Sequence, residues 1–396
     1  MTPLSIALKK TPPGRSRIGH PWIFRSQIQS IPTELTPGTI VDVYSHGKRF
    51  LGRGYLNPRS EITVRLLTKQ PQAIDASFFR EKISKAVAFR KKFVKDTNAM
   101  RLVSSESDDL PGLIVDQYGE VLIVQFLTLG MEVLRDVILS VLKELLPVKG
   151  IYEKSDSGSR KLEGLSERTG WIEQSCGAEQ IVQEADVRFS VPLGAGHKTG
   201  LYLDQRENRI ALKEWAKPGM RVLDGFCYTG GFGLHLAKMG CEVLGVDAQE
   251  EAIRLAESNR MLNGLTEKEL SFKTANCFDE LKALEQGKQK FNLVILDPPS
   301  FVKRKDAVES ALSGFKEIIL RSMRILAPDG LLAVFSCSYH IDDNLLMRTA
   351  MSAAFDTKRE IKLIRFMKQS VDHPINPFIP ETYYLKGFLF CVNASI

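Results

Sequence analysis

A regular alternation of short apolar strands and helices in the C-terminal half constrains this chain more than any other feature. From about residue 217 the strand RVLD leads into a glycine-rich stretch and a helix, and the strand CEVLGVD leads into the helix AQEEAIRLAESNRMLNG. The strands FNLVILDPPS and LLAVFSCS repeat the pattern, and YYLKGFLFCV closes it. This spacing predicts an α/β, doubly wound and mostly parallel sheet that is covered on both faces.

Two smaller regions precede this sheet. Residues 1–72 contain short alternating strands that are broken by glycine and other turn residues, which predicts a small β-barrel. Residues 73–190 mix amphipathic helices with strand pairs, which predicts a central α+β domain. The sheet would then occupy residues 191–396, and a chain of 396 residues is long enough for all three domains.

The excess positive charge lies in the first region. Residues 1–70 contain eleven Lys or Arg against three acidic residues, a net charge of +8, whereas the whole chain carries +7. Such clustering favours a polyanionic partner, because cations that neutralise phosphates release counterions; an ordinary solvated surface is the alternative. Arg15, Arg17 and Trp22 combine cations with an aromatic ring and are candidate RNA contacts, although Trp22 fits a core position equally well.

Composition argues against several other classes. Neither an N-terminal apolar segment of signal-peptide length nor a run of about 18 apolar residues is present, so we expect no secretion signal and no membrane span. The six cysteines form no CxxC pair, which argues against a zinc site and against a disulfide framework. A cytoplasmic protein without a bound metal is the expectation.

Candidate functional residues stand where the strands end, which is where parallel sheets bind ligands. Asp224 ends the first strand before the loop that carries Phe226, Tyr228 and Gly230, and Asp247 ends the second strand. A pyrophosphate would need a G-x-G-x-x-G loop, whereas the leading acid and bulky residues of DGFCYTGGFG suit the amino group of a methionine-like tail. The pattern therefore favours S-adenosyl-L-methionine (SAM) over NAD, with an ordinary strand–helix turn as the alternative.

The third and fourth strands end in further candidates. Asn276 can recognise the N6 amino group of an adenine or cap the next helix, and both interpretations stay open. Four residues follow the fourth strand: Asp297, Pro298, Pro299 and Phe301. The prolines fix a rigid loop, the acid can face a planar amide-like edge, and the ring can stack on a base. A structural turn is the alternative.

Cys337 ends the fifth strand, which we expect to lie next to the fourth. In isolation a cysteine at this position packs as a small apolar residue, but the neighbouring strand ends favour a nucleophile. A thiolate that adds to C6 of cytosine makes C5 nucleophilic enough to accept a methyl group, and Asp297 can hydrogen-bond the ring at N3. We therefore predict Cys337 and Asp297 as catalytic residues.

Together these segments resemble the bacterial 23S ribosomal RNA cytosine-C5 methyltransferase family, with its PUA domain, central α+β domain and Rossmann-type SAM domain. GHPWIFRSQI and LGRGYLNPRSEITVRLL are similar to its PUA segment, LPGLIVDQYG and KTGLYLDQRENR to its central and linking motifs, and FCYTGGF, LDPPSF and SCS to its site motifs. The resemblance covers essentially the whole chain and implies a seven-stranded class I methyltransferase sheet. It also implies SAM as cofactor, ribosomal RNA as partner, and a group of residues around SAM: Gln205, Arg206, Tyr228, Asp247 and Asn276.

The sequence departs from this family at Cys227, His197 and Asn276, where the family usually has Ser, Gln and Asp. Many RNA cytosine-C5 enzymes carry a second cysteine after the proline of the fourth strand, where this chain has Pro299 and Ser300, so the base that removes the C5 proton is not identified. Two other functions stay open: methylation of a base nitrogen, which needs no thiol, and a non-catalytic role in RNA binding or ribosome assembly. The oligomeric state stays open too, with a homodimer as one alternative.

Overall fold

The computed structural model describes residues 4–10, 19–32, 35–193, 201–301 and 308–395. The chain forms two compact units. The first comprises Met1–Gln180, Val191–Gly200 and Val371–Thr382, and the second comprises Ile181–Ser190, Leu201–Ser370 and Tyr383–Ile396. The division into three domains at residues 72 and 190 stays a prediction.

Five strands near the N-terminus form the first sheet of the first unit. They are β1 (Leu4–Ala7), β2 (Trp22–Phe24), β3 (Ile40–Tyr44), β4 (Phe50–Leu56) and β5 (Ile62–Thr68). Their order is β1-β3-β4-β5-β2, with β1 and β3 parallel and the other pairs antiparallel. Val41 and Val43 both face the buried core, because residues two apart share one face of a strand. The predicted N-terminal β domain is confirmed.

A second five-stranded sheet follows, together with its helices. The elements are α1 (Ala76–Phe93), β6 (Ala99–Ser104), β7 (Leu113–Tyr118), β8 (Val121–Phe126), α2 (Leu129–Val133), α3 (Arg135–Leu145), β9 (Gly150–Ser155), α4 (Ser159–Leu162) and β10 (Arg168–Gln174). The strand order is β10-β9-β8-β7-β6. Helix α1 begins where the Asp75 carboxylate accepts a hydrogen bond from the Phe78 N–H at 3.1 Å. Phe79 and Ile83 of this helix pack with Val115 in one core, so the α+β pattern is confirmed.

The second unit contains the long alternating sheet. After a two-stranded pair, β11 (Glu179–Glu184) and β12 (Val187–Pro192), the elements are α5 (Arg206–Leu212), β13 (Arg221–Gly225), α6 (Gly231–Ala237), β14 (Glu242–Asp247), α7 (Glu250–Leu262), β15 (Leu270–Thr274), α8 (Cys277–Gln286), β16 (Phe291–Leu296), α9 (Val308–Ile325), β17 (Leu326–Ser336), α10 (Asp343–Thr357), β18 (Arg359–Lys368) and β19 (Lys386–Ser395). The order is β15-β14-β13-β16-β17-β19-β18, and β13 to β17 are parallel, whereas β19 runs antiparallel to both neighbours. The predicted doubly wound, seven-stranded sheet is confirmed.

The strand order changes direction at β13, whose neighbours are β14 and β16. Leu223 of β13 pairs with Leu244 on one side and with Val294 on the other. The apolar residues of β16 and β17 pack with α9 in one buried core, which holds these strands rigidly. In such sheets the ligand crevice opens outside the carboxyl ends of the strands, where the strand order changes direction. The ends of β13, β14, β16 and β17 therefore border the candidate site.

Candidate active site

The loop between β13 and α6 contains three residues with positive φ. The angle is +64° at Phe226, +49° at Tyr228 and +83° at Gly230. A β-carbon at Gly230 would lie 2.8 Å from the Phe272 ring, so only glycine fits without displacing that ring. The N–H of Tyr228 donates a hydrogen bond to the Asp247 carboxylate at 3.0 Å. The loop is therefore fixed against the end of β14.

Asp224 lies beneath this loop and is only 1% exposed. Its Oδ2 accepts a hydrogen bond from the Gly233 N–H at 2.9 Å, whereas its Oδ1 is buried with no partner among the described residues. Burial raises the pKa of Asp224 to about 7, and the negative charges of Asp297 and Asp247 add to this rise against the opposing effects of Gly233 and Arg209. A buried acceptor without a partner is a candidate contact for a cationic or hydrogen-bond-donating ligand group.

Asp247 ends β14 and accepts backbone hydrogen bonds on both carboxylate oxygens. Oδ2 accepts from Tyr228 at 3.0 Å and Oδ1 accepts from Gln249 at 2.9 Å. These contacts orient the carboxylate, and each oxygen keeps a further lone pair that can accept from a ribose hydroxyl. The arrangement suits the predicted role of Asp247, which stays a prediction.

Gln205 and Arg206 lie at the start of α5 and are each 2% exposed. The Gln205 Oε1 accepts a hydrogen bond from the Asn208 amide at 2.6 Å, and its Nε2 has no partner among the described residues. The Arg206 guanidinium lies 3.7 Å from the Glu207 carboxylate. A buried amide donor such as the Gln205 Nε2 suits a ligand carboxylate, because an unmet donor in this environment is costly.

Asn276 follows β15 and is exposed. Its side-chain oxygen caps α8 by accepting a hydrogen bond from the Phe278 N–H at 2.9 Å. The side-chain oxygen of Asn276 therefore acts as a helix cap, as the capping alternative predicts. Recognition of an adenine by Asn276 stays a prediction.

The end of β16 adjoins the end of β13. The backbone N–H of Asp297 donates to the carbonyl oxygen of Gly225 at 3.4 Å, which places this acid beside the loop that follows β13. Pro298 is buried and Pro299 is exposed, while Asp297 and Phe301 are half-buried. Pro299, Ser300 and the exposed parts of Asp297 and Phe301 are thus the surfaces of this segment that a substrate can reach.

Phe301 packs into an aromatic cluster. Its ring centroid lies 5.0 Å from that of Phe315, 5.9 Å from Phe278 and 6.4 Å from Phe226. These contacts fix the orientation of the ring and cover part of its surface. Stacking of Phe301 on a base stays a prediction.

Cys337 directly follows the last residue of β17 and is half-buried. Leu296 of β16 pairs with Val334 of β17, so Asp297 and Cys337 leave the sheet at the same edge. Cys337 is therefore not fully buried in the core beneath the sheet. Its place at the strand ends is the one that we predict for a nucleophile, and that role stays a prediction.

The buried cysteines differ from Cys337. Burial raises the pKa of Cys277 to about 12 and raises that of Cys227 well above its ordinary value, with nearby acids adding to both shifts. Burial also raises the pKa of Cys241. These three thiols stay protonated and inert at neutral pH, as expected of residues that fill space in a core.

Tyr202 is a candidate site residue that the sequence did not predict. Burial raises the pKa of its phenol, and the negative charges of Asp297, Cys337, Asp204 and Asp247 raise it further. The Tyr202 hydroxyl is therefore within electrostatic reach of residues from four different segments. Because it stays protonated, it can donate a hydrogen bond but cannot serve as a base at neutral pH.

Lys386, at the start of β19, is a second residue that the sequence did not predict. It is 4% exposed, and its ammonium donates to the carbonyl oxygens of Ser338 at 3.0 Å and Tyr384 at 3.1 Å. Burial lowers the pKa of Lys386, whereas the charges of Asp343 and Cys337 oppose that shift. A lysine inside the apolar strand LKGFLFCV was the available signal, because lysine is seldom buried without a reason.

Of the predicted RNA contacts, Arg15 and Arg17 lie outside the described residues. Trp22 is half-buried in β2, and its indole N–H donates to the Glu106 carboxylate at 2.9 Å. Its ring also contacts that of His20 at a centroid distance of 5.0 Å. These contacts agree with the core alternative for Trp22, and its contact with RNA stays a prediction.

The described ranges lack two features. Within residues 4–10, 19–32, 35–193, 201–301 and 308–395, no group of three or more His, Cys, Asp or Glu is arranged to hold a metal ion. In the same part of the chain, no helix has the length and apolar character needed to cross a membrane.

The sheet order, the loop after β13 and the acids at the strand ends define a class I, SAM-dependent methyltransferase fold. A family model described as S-adenosylmethionine-dependent methyltransferase matches residues 167–391, and a PUA-like domain model matches residues 6–69. The buried Oδ1 of Asp224 and Nε2 of Gln205 fit the charged amino-acid end of SAM, because both lack a partner within the described residues.

Individual relatives extend over nearly the whole chain. Two proteins named Ribosomal RNA large subunit methyltransferase I are each 39% identical to it. The protein from Shewanella denitrificans matches over 96% of this chain and 98% of its own length. The protein from Pseudoalteromonas atlantica matches over 95% of this chain and 97% of its own length. The chain belongs to the SAM-dependent methyltransferase family that includes these proteins.

Solved structures agree on the fold. A Streptococcus mutans protein assigned as a SAM-dependent methyltransferase superposes with a TM-score of 0.83 at 20% identity, covering 98% of this chain and 100% of that one. A protein assigned as a methyltransferase and solved with S-adenosylhomocysteine gives a TM-score of 0.83 at 22% identity, covering 99% and 100%.

Proposed function

We propose that this chain methylates C5 of a cytosine in the 23S RNA of the large ribosomal subunit, with Cys337 as a covalent nucleophile. The observation that carries the proposal is the half-buried Cys337, which leaves the sheet at the edge where Asp297 also emerges and precedes Ser338, whose carbonyl oxygen accepts a hydrogen bond from the Lys386 ammonium at 3.0 Å. The name of the relatives at 39% identity supports ribosomal RNA as the substrate. The thiol supports C5, because a base nitrogen is nucleophilic without covalent activation.

The proposal extends to the whole chain. Residues 1–72 would bind RNA, residues 73–190 would form a central domain, and residues 191–396 would carry out the reaction in the cytoplasm. The matched PUA-like segment and the excess of positive charge near the N-terminus support the first assignment.

SAM, when bound, supplies a methyl group on an electrophilic sulfonium. Asp224 would hold its amino group and Gln205 its carboxylate, since both have a buried polar atom without a partner in the described part of the chain. Asp247 would bind the ribose hydroxyls, and Asn276 the adenine. Other loop residues would line the cofactor: Arg206, Phe226, Tyr228 and Gly230.

The Cys337 thiolate would add to C6 of the cytosine, forming an S–C6 bond as the C5–C6 π electrons shift into the C4–C5 bond and the C4–N3 π electrons move onto N3. Asp297, in its protonated form, would donate a hydrogen bond to N3 and so stabilise the negative charge there, while Pro299 and Phe301 would border the base. After C5 has gained the methyl group, its proton leaves to a base, and the returning electron pair breaks the S–C6 bond. We do not assign this role to Tyr202, because burial raises the pKa of its phenol.

Cys337→Ser tests the proposal. We expect bisulfite mapping of ribosomal RNA to show that one 5-methylcytosine disappears when the protein is absent from the cell and is not restored by this variant. Cys391→Ser is the matched control, because Cys391 is another half-buried thiol that we place outside the site. Undiminished methylation by Cys337→Ser would instead support transfer to a base nitrogen.

A trapping experiment tests the covalent step separately. RNA that contains 5-fluorocytidine has no C5 proton to lose, so the adduct accumulates once SAM is present. We expect a complex that survives denaturing electrophoresis with the wild-type chain and with Cys391→Ser, and none with Cys337→Ser. If pure protein takes up no SAM in calorimetry, the result would favour a non-catalytic RNA-binding role instead.

A further inference from the structure

Helix α1 of the first unit exposes an aromatic pair beside two lysines. Lys85, Phe89, Lys92 and Phe93 stand at positions i, i+4, i+7 and i+8, so they share one side of the helix, which we call the α1 face. Phe89 is 37% exposed and Phe93 is 49% exposed, with ring centroids 4.8 Å apart. The Lys92 ammonium lies 5.2 Å from the Phe93 ring. The face thus presents flat apolar surfaces with cations next to them.

Two grooves extend the α1 face. One of about 180 Å³ is lined by Lys85, Phe89 and Pro374, and one of about 410 Å³ is lined by Lys69 and Phe378. Phe378 is 62% exposed, so the second groove offers another accessible ring. The grooves share two lining residues, Lys82 and Asp109. Aromatic rings and lysines therefore continue from the α1 face along the surface of the first unit.

The excess charge of this surface is positive. The Asp108 carboxylate accepts two hydrogen bonds from Arg90, at 2.6 and 2.8 Å, and Asp109 pairs with Lys82 at 2.8 Å. Glu81 is an exposed acid that lines the larger groove. The two lysines of the α1 face have no carboxylate partner among the residues that the structure describes. The face itself therefore carries uncompensated positive charge.

Helix stability explains only part of this pattern. Cations in the last turn complement the helix dipole, which accounts for Lys91 and Lys92. The dipole does not account for Lys85, which lies two turns earlier, or for two exposed rings side by side. A second copy of the chain, docked by a twofold axis on the same face, would oppose the same lysines and be repelled. A partner with negative charge and flat bases suits both the lysines and the rings.

We propose that the α1 face binds a single-stranded segment of the RNA substrate. Bases would stack on Phe89 and Phe93, and the phosphates would lie near Lys85 and Lys92. The inference rests on the proposed function for the identity of the partner as RNA, and it assigns a binding surface outside the residues that carry out methyl transfer. Such a surface holds the RNA without reading its sequence, because every base has a face that can stack.

The double variant Phe89→Ala/Phe93→Ala tests the proposed stacking of bases on the two rings. The probe is a single-stranded RNA of uridine and cytidine about 12 nucleotides long, within the ~4–16 nucleotides of known single-strand sites. We expect fluorescence anisotropy to show about thirtyfold weaker binding or more, since each of the two stacked bases contributes ~1–3 kcal/mol. The control is Phe355→Ala, which removes a ring that is 84% exposed on α10, outside the α1 face. Equal affinities for the double variant and the wild-type chain would overturn the proposal.

The double variant Lys85→Gln/Lys92→Gln tests the proposed contacts between the phosphates and the two lysines. We expect the slope of log affinity against log salt to fall by about 1.4, because each lost contact with a single-strand phosphate removes ~0.7. Lys282→Gln, an exposed lysine on α8, should leave the slope unchanged. An unaltered slope in the double variant would contradict the proposal.

Sedimentation of the same variants tests the other possible occupant of the α1 face, which is a second copy of the chain. If Phe89→Ala/Phe93→Ala turns a dimer into a monomer and leaves RNA affinity unchanged, the α1 face joins two copies and the inference is wrong. The readout is independent of the proposed chemistry. If RNA binding depends on the α1 face but the protein forms no 5-methylcytosine, this inference is supported and the proposed reaction is wrong.

Discussion

The ammonium of Lys386 donates a hydrogen bond to the carbonyl oxygen of Ser338 at 3.0 Å, one residue beyond Cys337. Lys386 also pairs with Ser336 in the register of β17 and β19. The Lys386 ammonium is thus held beside the backbone of Ser338, while the Lys386 backbone lies opposite Ser336. Only the thiolate is nucleophilic, and a neighbouring cation favours it, so Lys386 would assist the proposed reaction by favouring the ionised thiol.

Lys386→Met should therefore slow the reaction of Cys337 with iodoacetamide at neutral pH by roughly threefold to tenfold, through the loss of a nearby cation. The pH profile of alkylation, followed by mass spectrometry of the Cys337 peptide, measures this without RNA or SAM. The matched control is Lys368→Met, because the exposed Lys368 lies 5.5 Å from the Tyr383 ring and Lys386 lies 5.4 Å from the same ring. Identical profiles for the two variants would show that Lys386 does not act on the thiol.

Asp224 should make stability depend on pH. Burial raises its pKa from 3.8 to about 7, so between these values the folded chain binds more protons at this position than the unfolded chain does. The stabilising contribution is complete below pH 3.8 and is lost as the pH rises through about 7. Asp224→Asn removes it.

Urea unfolding near pH 5 and near pH 8 measures this effect. We expect the wild-type chain to lose roughly 2–3 kcal/mol more than Asp224→Asn over this interval, at ~1.4 kcal/mol per unit of pKa difference. Asp136→Asn is the control, because the Asp136 side chain is 95% exposed. Parallel pH curves for the wild-type chain and Asp224→Asn would mean that the folded chain does not hold this proton.

The strand ends could be predicted because apolar runs and turn residues are local signals. Asp224, Asp247, Asp297 and Cys337 each lie within one residue of the end of an observed strand. Parallel pairing then brings strand ends together whatever the intervening sequence, which is why candidates from separate segments form one site.

Residues whose importance depends on tertiary placement could not be predicted. Tyr202 precedes Cys337 by 135 residues and Lys386 follows it by 49, so no local pattern connects them. The same limit applies to Val371–Thr382, which belongs to the first unit although the flanking segments belong to the second. For Asn276 and Phe301, capping and aromatic packing are local alternatives that the residue type alone does not distinguish from ligand contacts.

Gly230 should be intolerant of a side chain for two separable reasons. Gly230→Ala combines the strain of φ +83° with a β-carbon 2.8 Å from the Phe272 ring, whereas Gly264→Ala at φ +68° meets nothing within 4 Å. Backbone strain alone should lower the free energy of unfolding of Gly264→Ala by about 1–2 kcal/mol. In Gly230→Ala the clash should lower it by a further ~1–3 kcal/mol. Unfolding in urea and calorimetric binding of SAM should show that only Gly230→Ala also weakens cofactor binding. Equal losses of stability in both variants would contradict the steric part.

A buried charge cluster should stabilise the second unit. Glu184 accepts hydrogen bonds from Arg209 at 2.7 and 2.6 Å and lies 2.9 Å from the Nε2 of His235. Burial opposes ionisation of this carboxyl, but the charge of Arg209 and the hydrogen bonds from both partners outweigh it and lower the pKa of Glu184 to about 2. Its contribution is therefore present above pH 4.5 and is lost as the pH falls through about 2.

Glu184→Gln should destabilise the chain by about 3–5 kcal/mol at neutral pH, because it leaves the Arg209 guanidinium buried without a counter-charge. Glu144→Gln, which removes an exposed ion pair with Arg80, should change stability far less, because solvent screens that pair. The Arg209 guanidinium also donates to the carbonyl oxygen of Tyr202 at 3.0 Å, so the cluster supports a residue of the candidate site. We therefore expect Glu184→Gln to weaken SAM binding at a temperature where the variant remains folded, as calorimetry can measure. Full SAM affinity in a destabilised variant would show that the cluster supports the fold alone.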